Sequence, residues 1–319
     1  MSTSHSQSES HVLAFDLGGT KVAAAIVARD GTIVQELKEP VKLDQGPKGL
    51  VEQMMHLSQS LPLKQYSIRV AGVASAGPLD PKQGLLLNPT NFLTEGQGWG
   101  VVPLVELLTR ALSMPVVLEN DAAAAALAEN WLGQGQGVEN LVVMTLGTGL
   151  GVAAIANGAL VRSGRGLHPE AGHVTLKFDD TTALCNCGRF GCAEAYLSGP
   201  HFARRASSRW GSSPLSANYI AERAQAGDAH ALAAFSEYAQ QMAAAMANYC
   251  VLYGPEIIVL AGGFSRAVPL YLDQAKGHLQ QQLARRREDV DLMPQLKISR
   301  FQEEAGVLGA ARVAFAELT

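Results

Sequence analysis

The sequence predicts an α/β protein with two domains that are variants of one fold and have a cleft between them. An apolar strand, a glycine turn, a second apolar strand, a hairpin signal and a third strand follow one another at residues 11–37 and again at residues 141–163. The hairpin signals are Asp30-Gly31 and Asn157-Gly158, which are typical of tight turns between strands. The length of 319 residues also favours two domains.

In the first half, the sequence predicts strands followed by alternating helices and strands, and it predicts a capping residue for the last helix. Periodicity predicts strands near 11–16, 21–28, 32–37, 67–74 and 115–119, and helices near 47–60, 103–112 and 121–132. Asn120 or Asp121 is predicted to cap the last of these helices, because short polar side chains accept hydrogen bonds from the first helical N–H groups.

The second half is predicted to be richer in helices. After the repeated meander we expect helices at about 199–210, 216–226, 228–252, 269–287 and 305–317, and a buried strand at 256–261. We place the domains at 11–121 with 305–319 (small) and 122–304 (large), and we expect residues 1–10 to be disordered. Cys250 lies in an apolar helical run and is predicted to be a core residue.

Composition and charge exclude several classes of protein. The net charge is −4 and the sequence pI is about 6.1, so nothing favours the phosphate-driven binding of nucleic acids. No uncharged apolar span is long enough for a membrane helix, and the polar N-terminal residues lack an export signal. We therefore expect a cytoplasmic protein with reduced cysteines and small-molecule partners.

One histidine and three cysteines have metal-ligand spacing. They are His173, Cys185, Cys187 and Cys192, and together they would form a closed tetrahedral zinc shell. A closed shell leaves no open position for catalysis, which indicates a structural zinc that orders its loop. The alternatives are a disulfide or three unrelated buried thiols, although Cys185 and Cys187 are too close in sequence for an easy bridge.

Two glycine turns could hold phosphates. No Walker motif is present, and Gly147-Thr148-Gly149-Leu150-Gly151 resembles a dinucleotide fingerprint but precedes a strand instead of a helix. The segments 16–21 and 146–149 instead indicate tight hairpin turns whose backbone N–H groups approach an anion. Each could equally be a plain β-turn, but their matching positions in the two halves favour a triphosphate.

Together these motifs resemble the ROK family (repressors, open reading frames, kinases). The matching segments are DLGGTK (16–21), GVASAGP (72–78), LENDAAAAALAE (118–129), LGTGLGVAAIANG (146–158), EAGH (170–173), CNCGRFGCAEAYLSG (185–199) and LAGGFS (260–265). The resemblance covers residues 12 to about 312 and implies a duplicated fold of the ribonuclease-H-like, actin-like ATPase type. The sequence departs from the family at residues 88–100, where the Asn-to-Trp loop is longer than usual.

The resemblance implies residues for the sugar side of a kinase site. Asp121, at a strand-to-helix junction, would be the catalytic base, although the residues alone favour a plain helix cap. The other implied sugar-binding residues are Gly77, Asn91, Asn120, Glu170, His173 and Glu194. Glu170 and Glu194 could otherwise be solvated surface charges, and we expect His168 on the loop surface.

The resemblance also implies a nucleotide side. Asp16 would hold Mg²⁺ directly or through water, because hard oxygen ligands suit that ion. The residues implied at the ATP phosphates are Gly18, Gly19, Thr20, Lys21, Thr148 and Gly149, and those at the adenosine are Gly262 and Gly263. The last pair could otherwise be a turn that enters a helix.

The resemblance therefore implies an ATP-dependent hexose kinase, with glucose as the favoured substrate and glucose 6-phosphate as the product. N-acetylglucosamine and N-acetylmannosamine are the next alternatives, because CNCGRFGCAEAYLSG (185–199) resembles both the glucokinase and the N-acetylhexosamine kinase branches. Fructose is a further alternative, because His168-Pro169-Glu170 is similar to ROK fructokinases. A DNA-binding repressor is disfavoured because the first strand begins near residue 12, and a non-catalytic sugar sensor is disfavoured by Asp16 and Asp121. The family also implies a homodimer.

Overall fold

A computed structural model describes residues 10–89, 91–210, 215–284, 291–301 and 303–318. The expected disorder of residues 1–9 and the predicted helical residues 285–287 lie outside this description. Contacts divide the chain into two compact units. Unit 1 is Met1–Ala128, Arg162–His168 and Glu304–Thr319, and unit 2 is Glu129–Val161 and Pro169–Glu303. Residues 162–168, assigned from the sequence to the larger domain, thus group with unit 1.

The strands are β1 His11–Leu17, β2 Lys21–Ala28, β3 Ile33–Pro40, β4 Ala71–Ser75, β5 Leu79–Asp80, β6 Leu85–Leu87, β7 Leu93–Thr94, β8 Gln97–Gly98, β9 Val101–Val102, β10 Val116–Asn120, β11 Leu141–Leu146, β12 Leu150–Ala156, β13 Ala159–Leu160, β14 Ile257–Ala261 and β15 Gln295–Ile298. The helices are α1 Gly46–Gln59, α2 Leu104–Leu112, α3 Asp121–Leu132, α4 Glu194–Leu197, α5 Gly199–Ser207, α6 Ala217–Gln225, α7 Ala229–Tyr253, α8 Leu272–Leu283 and α9 Ala305–Ala316. The boundary between the units falls within α3.

Unit 1 is built on a five-stranded sheet in the order β10-β4-β1-β2-β3. β1, β2 and β3 form an antiparallel meander, while β4 pairs in parallel with both β1 and β10. Leu17 pairs with Ser75, and Ser75 pairs with Asn120. The carboxyl ends of three strands therefore form one row at one edge of the sheet.

Helices cover both faces of this sheet. Phe15 of β1 is fully buried in one apolar cluster with Leu50 of α1 and Leu108 of α2. On the other face α9 packs against β1 and β4. The approach is close enough that a methyl group at Gly72 would overlap the Ala310 carbonyl, which explains a glycine in the middle of a buried strand.

Unit 2 repeats the same arrangement. Its sheet has the order β13-β12-β11-β14-β15, with an antiparallel meander followed by parallel β14 and β15. The predicted duplication is thus confirmed. The long helix α7 anchors surrounding loops through two buried tyrosines, because Tyr238 Oη donates to Leu197 O (2.9 Å) and Tyr249 Oη donates to Ala171 O (3.0 Å). Cys250 is buried beside them, as predicted.

Three helices or strands of the second half differ from the predicted elements, and one of them is the short helix α4, which was not predicted. The helix expected from residue 269 begins at Leu272, after a 3₁₀ segment over Gly263–Leu270 that contains Pro269. Proline lacks an N–H donor and disfavours helical geometry at the preceding residue, so it delays the α-helix. The sequence analysis also missed β15, because its four residues form no buried apolar run. Among the described residues, no helix is both long and apolar enough to cross a membrane.

We predict that two helical glycines respond oppositely to alanine. A methyl group at Gly309 in α9 would overlap the backbone carbonyl of Ala124 in α3, whereas a methyl group at Gly277 in α8 would meet open space. Gly309→Ala should lower the free energy of unfolding by about 2 kcal/mol or more. Gly277→Ala should raise it by about 0.5–1 kcal/mol. Urea unfolding of both variants measures this, and equal effects would refute the close packing of α9 on α3.

Candidate functional site

The first glycine turn joins β1 to β2. Gly18 N donates to Lys21 O (3.0 Å), so residues 17–22 form the tight hairpin turn predicted from the sequence. A Cβ atom at Gly19 would lie 3.1 Å from Asn91 Cβ. The structure therefore places Asn91 directly against the turn, and the glycine makes this contact sterically possible.

Asp16 lies at the end of β1, beside the start of α9. A methyl group at Gly306, in the first turn of α9, would overlap the Asp16 carboxylate. The positive end of a helix dipole stabilises a carboxylate at this position. Helix α9, which is more than 280 residues away in sequence from Asp16, therefore forms part of the surroundings of this side chain.

Asn120 and Asp121 occupy the junction between β10 and α3. Asn120 is buried, and its Oδ1 accepts hydrogen bonds from Ala122 N (2.9 Å) and Ala123 N (3.1 Å). Asn120 is therefore the helix cap, one of the two residues that the sequence proposed. This fixes the backbone of Asp121, the next residue, which is half-buried and whose Oδ1 lies 2.8 Å from Ala122 N.

Strand register brings these groups to one edge of the unit 1 sheet. Asp16 is level with Ala74 of β4 and Glu119 of β10, and the strands end one residue later. Gly77 follows the end of β4 and precedes Pro78 through a cis peptide bond. In parallel sheets, ligands bind outside the carboxyl ends of the strands. Asp16, Gly77 and the Asn120-Asp121 junction all lie at this edge.

An ion pair that was not predicted from the sequence lies behind this junction. Glu119 is almost fully buried, and its carboxylate accepts hydrogen bonds from Asn120 N (2.8 Å) and from both terminal nitrogens of Arg162. The Glu119 carboxylate raises the pKa of Arg162, so the guanidinium stays charged. A carboxylate inside the apolar strand VVLEN was the available signal, because a buried charge needs a partner.

The extended 88–100 segment contains a hairpin over residues 93–98. β7 and β8 pair across Glu95-Gly96, and Asn88 closes the base, since Asn88 N donates to Gly100 O (2.8 Å) and Gly100 N donates to Asn88 Oδ1 (2.9 Å). Thr94 Oγ1 accepts from Trp99 Nε1 (2.8 Å) and donates to Leu43 O (2.6 Å). The hairpin is thus anchored to the segment before α1.

The second glycine turn joins β11 to β12 in unit 2. Gly147 N donates to Gly149 O (3.1 Å), and the strands are antiparallel on both sides, so the dinucleotide fingerprint is excluded as expected. Two elements hold the turn from outside. Gly199 N donates to Gly147 O (2.9 Å), and Leu150 N donates to Glu194 Oε2 (3.1 Å).

A cavity of about 490 Å³ opens beside this turn. Its lining includes Gly147 and Thr148 from the turn, Gly199 from α5, and Gly263 with Phe264 after β14. Gly262 has φ of +85°, a conformation that side chains rarely adopt. The structure therefore brings the predicted adenosine-side residues next to Thr148 within one unit.

The predicted metal ligands form one cluster. The ligand atoms of His173, Cys185, Cys187 and Cys192 all lie within 4.8 Å of one another. Cys187 Sγ is 3.7 Å from Cys192 Sγ, and Cys185 Sγ is 3.5 Å from His173 Nδ1. All four cysteines of the chain are free thiols, which excludes the disulfide alternative here. Burial raises the pKa of both the Cys185 and the Cys192 thiol.

The two predicted sugar-binding glutamates lie beside this cluster in different surroundings. Glu194 is buried, with Oε1 3.3 Å from Cys185 Sγ and Oε2 accepting from Leu150 N. Glu170 is exposed at the edge of the cluster. Partial desolvation of its carboxyl group nevertheless raises the pKa of Glu170. The charge of His173 opposes this rise, and the charge of Glu194 adds to it. Glu170 and His173 line an open cavity of about 450 Å³ together with Thr175 and Arg189.

The expectation for His168 was wrong. His168 is buried, because the 162–168 segment folds back on itself and packs within unit 1. Ser163 N donates to Leu167 O (2.9 Å) and Gly166 N donates to Ser163 O (2.8 Å). The polar, glycine-rich composition of the segment concealed this compact turn.

The sequence and the fold both resemble known proteins. The ROK family profile matches residues 12–317. The chain is 30% identical over 322 residues to the glucokinase of Thermotoga maritima, covering 95% of this chain and 96% of that protein. It is 32% identical over 313 residues to the N-acetylmannosamine kinase of Shigella flexneri, covering 96% and 99%.

A solved structure agrees with these relatives. The fold matches a ROK family glucokinase from Streptomyces griseus, solved in complex with glucose and AMPPNP, with a TM-score of 0.82 and 29% identity over 96% of this chain and 99% of that one. The predicted actin-like ATPase fold is thereby confirmed. Because the family profile spans nearly the whole sequence, this chain belongs to the ROK family.

Proposed function

We propose that this chain is an ATP-dependent hexose kinase, with glucose as the preferred substrate and glucose 6-phosphate as the product. The observation that carries the proposal is the junction of β10 and α3. There, Asn120 caps α3 and fixes the backbone of Asp121 at the same sheet edge as Asp16 and its glycine turn. The glucokinase of Thermotoga maritima and the glucose complex from Streptomyces griseus support the assignment.

Asp121 is proposed as the catalytic base. Its carboxylate would take the proton of the sugar hydroxyl while the hydroxyl oxygen forms a bond to the γ-phosphorus and the bond to the ADP oxygen breaks. The helix cap at Asn120 holds Asp121 in place without help from the substrate. Such fixed placement lowers the entropic cost of reaching the reactive geometry.

In unit 1, Asn120 and Asp121 are the residues proposed to bind the sugar hydroxyls. Asn120 uses Oδ1 for the helix cap, so its Nδ2 group is the donor that we assign to the sugar. On unit 2 we assign Glu170, Glu194 and the Nε2 of His173, whose Nδ1 faces Cys185. Gly77 and Asn91 are proposed as further sugar contacts.

The nucleotide is proposed to use the two glycine turns. The backbone and side chains assigned to the phosphates are those of Gly18, Gly19, Thr20, Lys21, Thr148 and Gly149. Gly262 and Gly263 would hold the adenosine beside the cavity next to Thr148. Asp16 would hold Mg²⁺, which neutralises phosphate charge when bound.

The His-Cys cluster fits a structural zinc. Around tetrahedral Zn²⁺, with bonds of about 2.3 Å to sulfur and about 2.0 Å to nitrogen, ligand atoms lie about 3.5–3.8 Å apart. The 3.7 Å and 3.5 Å separations in this cluster match those edges. Zinc would be held by His173, Cys185, Cys187 and Cys192 and would order the segment that leads into α4, where Glu194 lies.

The second candidate function is an N-acetylhexosamine kinase. The relative from Shigella flexneri, an N-acetylmannosamine kinase, is as similar to this chain as the glucokinases are. Overall similarity therefore does not distinguish glucose from an N-acetylhexosamine, and the contacts of the sugar site would determine which sugar is phosphorylated. Fructose is the remaining hexose alternative. A sugar-binding regulator without catalysis would retain the fold but would have no use for a fixed Asp121.

We predict that Asp121→Ala lowers kcat by about 100-fold or more, because a positioned general base contributes about that much. An ATP-coupled assay with glucose, N-acetylmannosamine, N-acetylglucosamine and fructose measures the loss. Asp273→Ala, at an exposed position in the first turn of α8, is the matched control and should leave kcat unchanged. Near-normal turnover by Asp121→Ala, with an unchanged melting temperature, would show that the base is another residue.

We predict about one equivalent of zinc per chain in protein purified without chelator. Cys187→Ala should lose the metal and weaken sugar binding together, because loop order depends on the ion. Cys250→Ala removes a thiol that lies outside the cluster and should keep the metal. Elemental analysis and sugar calorimetry test this, and a metal-free protein with full sugar affinity would disprove it.

The 93–98 hairpin is predicted to set sugar preference. Deleting residues 94–97 joins Leu93 to Gly98, which already pair across the hairpin. The deletion should change the ratio of kcat/KM for glucose and N-acetylmannosamine by about tenfold, and the KM for ATP far less. Thr94→Val breaks the anchor to Leu43 without shortening the chain. If the deletion changes sugar and ATP parameters equally, the hairpin does not set specificity.

A further inference from the structure

His201 has no place in the proposed chemistry, yet it is buried and fully engaged in hydrogen bonds. It lies in α5, where its Nε2 is 3.2 Å from Leu184 O and its Nδ1 is 2.7 Å from Ser198 Oγ. A carbonyl oxygen only accepts, so Nε2 must carry the proton. Nδ1 therefore accepts a hydrogen bond from the Ser198 hydroxyl.

The surroundings of His201 favour the neutral ring that this arrangement needs. Burial, followed by the nearby Arg204 guanidinium, lowers the pKa of His201. A neutral imidazole donates at one nitrogen and accepts at the other, whereas the charged ring would donate at both. The ring thus connects one acceptor with one donor from two different segments.

Each of these segments leads to a different part of the proposed site. Leu184 immediately precedes Cys185, a member of the metal cluster. Ser198 immediately precedes Gly199, whose N–H donates to Gly147 O (2.9 Å) in the second glycine turn. Both segments belong to unit 2. We call the segment from His173 to Cys192, which carries the predicted metal ligands, the metal loop. The hydrogen bonds Leu184–His201–Ser198 therefore connect the metal loop to the turn assigned to the phosphates.

We propose that His201 is a positioning residue that couples the order of the metal loop to the geometry of the 147–149 turn, so that nucleotide affinity depends on it. The inference rests on the proposed function and deepens its nucleotide side. His201 touches neither the metal ligands nor the reacting atoms in this account. It acts through Gly199, which holds the turn.

A second connection between the same two parts limits the expected effect. Glu194 lies between Cys185 Sγ and Leu150 N, at the other end of the turn. With this connection intact, loss of His201 should distort the turn without removing it. Leu184 O also accepts from Arg204 Nη2 (3.3 Å), so loss of His201 leaves only the buried Ser198 hydroxyl without its partner. One buried polar group without a partner typically corresponds to a change of roughly tenfold in an equilibrium constant.

The test is calorimetric binding of AMPPNP with Mg²⁺ to His201→Asn, His201→Gln and the parent protein. Asparagine places its oxygen near the position of Nδ1 and keeps the Ser198 bond, whereas glutamine places its nitrogen near Nε2 and keeps the Leu184 bond. Each variant interrupts the connection once, so each should raise the Kd for AMPPNP by about tenfold. His278→Ala, on α8, is the control histidine and should leave the Kd unchanged.

A double-mutant cycle separates coupling from general destabilisation. Ser198→Ala and His201→Ala should each weaken AMPPNP binding, and the double variant should bind about as weakly as either single variant, because both interrupt one connection. Zinc content should stay at about one equivalent in the Asn and Gln variants. Hydrogen exchange of the amides of residues 147–151 should become faster in them.

The outcomes distinguish this inference from the proposed function. If the parent binds AMPPNP and all His201 variants bind it within twofold of the parent, with only the melting temperature lowered, His201 is purely structural and the inference is overturned. Additive effects in the double-mutant cycle would overturn it too. If the parent protein binds no AMPPNP, the proposed function fails, and the inference fails with it.

Discussion

The register of the parallel strands is the constraint on which the proposed site depends. In unit 1, pairing of β4 with β1 and β10 sets Leu17, Ser75 and Asn120 level. Asp16 of β1 and Asp121, which begins α3 directly after β10, therefore lie at one edge of the sheet. In unit 2, pairing of Thr145 with Ala261 places the 147–149 turn and Gly262 at the matching edge. A shift by one residue would turn each of these side chains to the opposite face of its sheet.

The conformation of the metal loop is not fixed by strand pairing in the two sheets. Its residues include exposed Phe178 and few buried apolar side chains apart from Cys185 and Cys192, so burial alone would hold it weakly. A bound zinc would provide the missing free energy. The loop then reaches the 147–149 turn through Glu194 and through His201. The same few residues would thus order the sugar side and the nucleotide side of unit 2.

Local patterns predicted much of this structure, and long-range contacts account for what they missed. The meanders, the Asn120 cap and the metal cluster followed from residue types at short spacing. The Glu119–Arg162 ion pair, the start of α9 beside Asp16 and the strand β15 join distant segments, and no periodicity encodes such pairs. Pro269 is visible in the sequence, but the pattern around it predicts a helix from residue 269. The homodimer and the domain boundary at residue 121 stay predictions.

The central claim is that this chain transfers a phosphoryl group from ATP to one hexose. The most direct measurement is ³¹P nuclear magnetic resonance of the protein with ATP, Mg²⁺ and each of glucose, N-acetylmannosamine, N-acetylglucosamine and fructose in turn. We predict that at least one sugar gives equal amounts of ADP and sugar phosphate, with the fastest reaction for glucose. Release of ADP and inorganic phosphate without sugar phosphate, or no reaction with any of the four sugars, would contradict it.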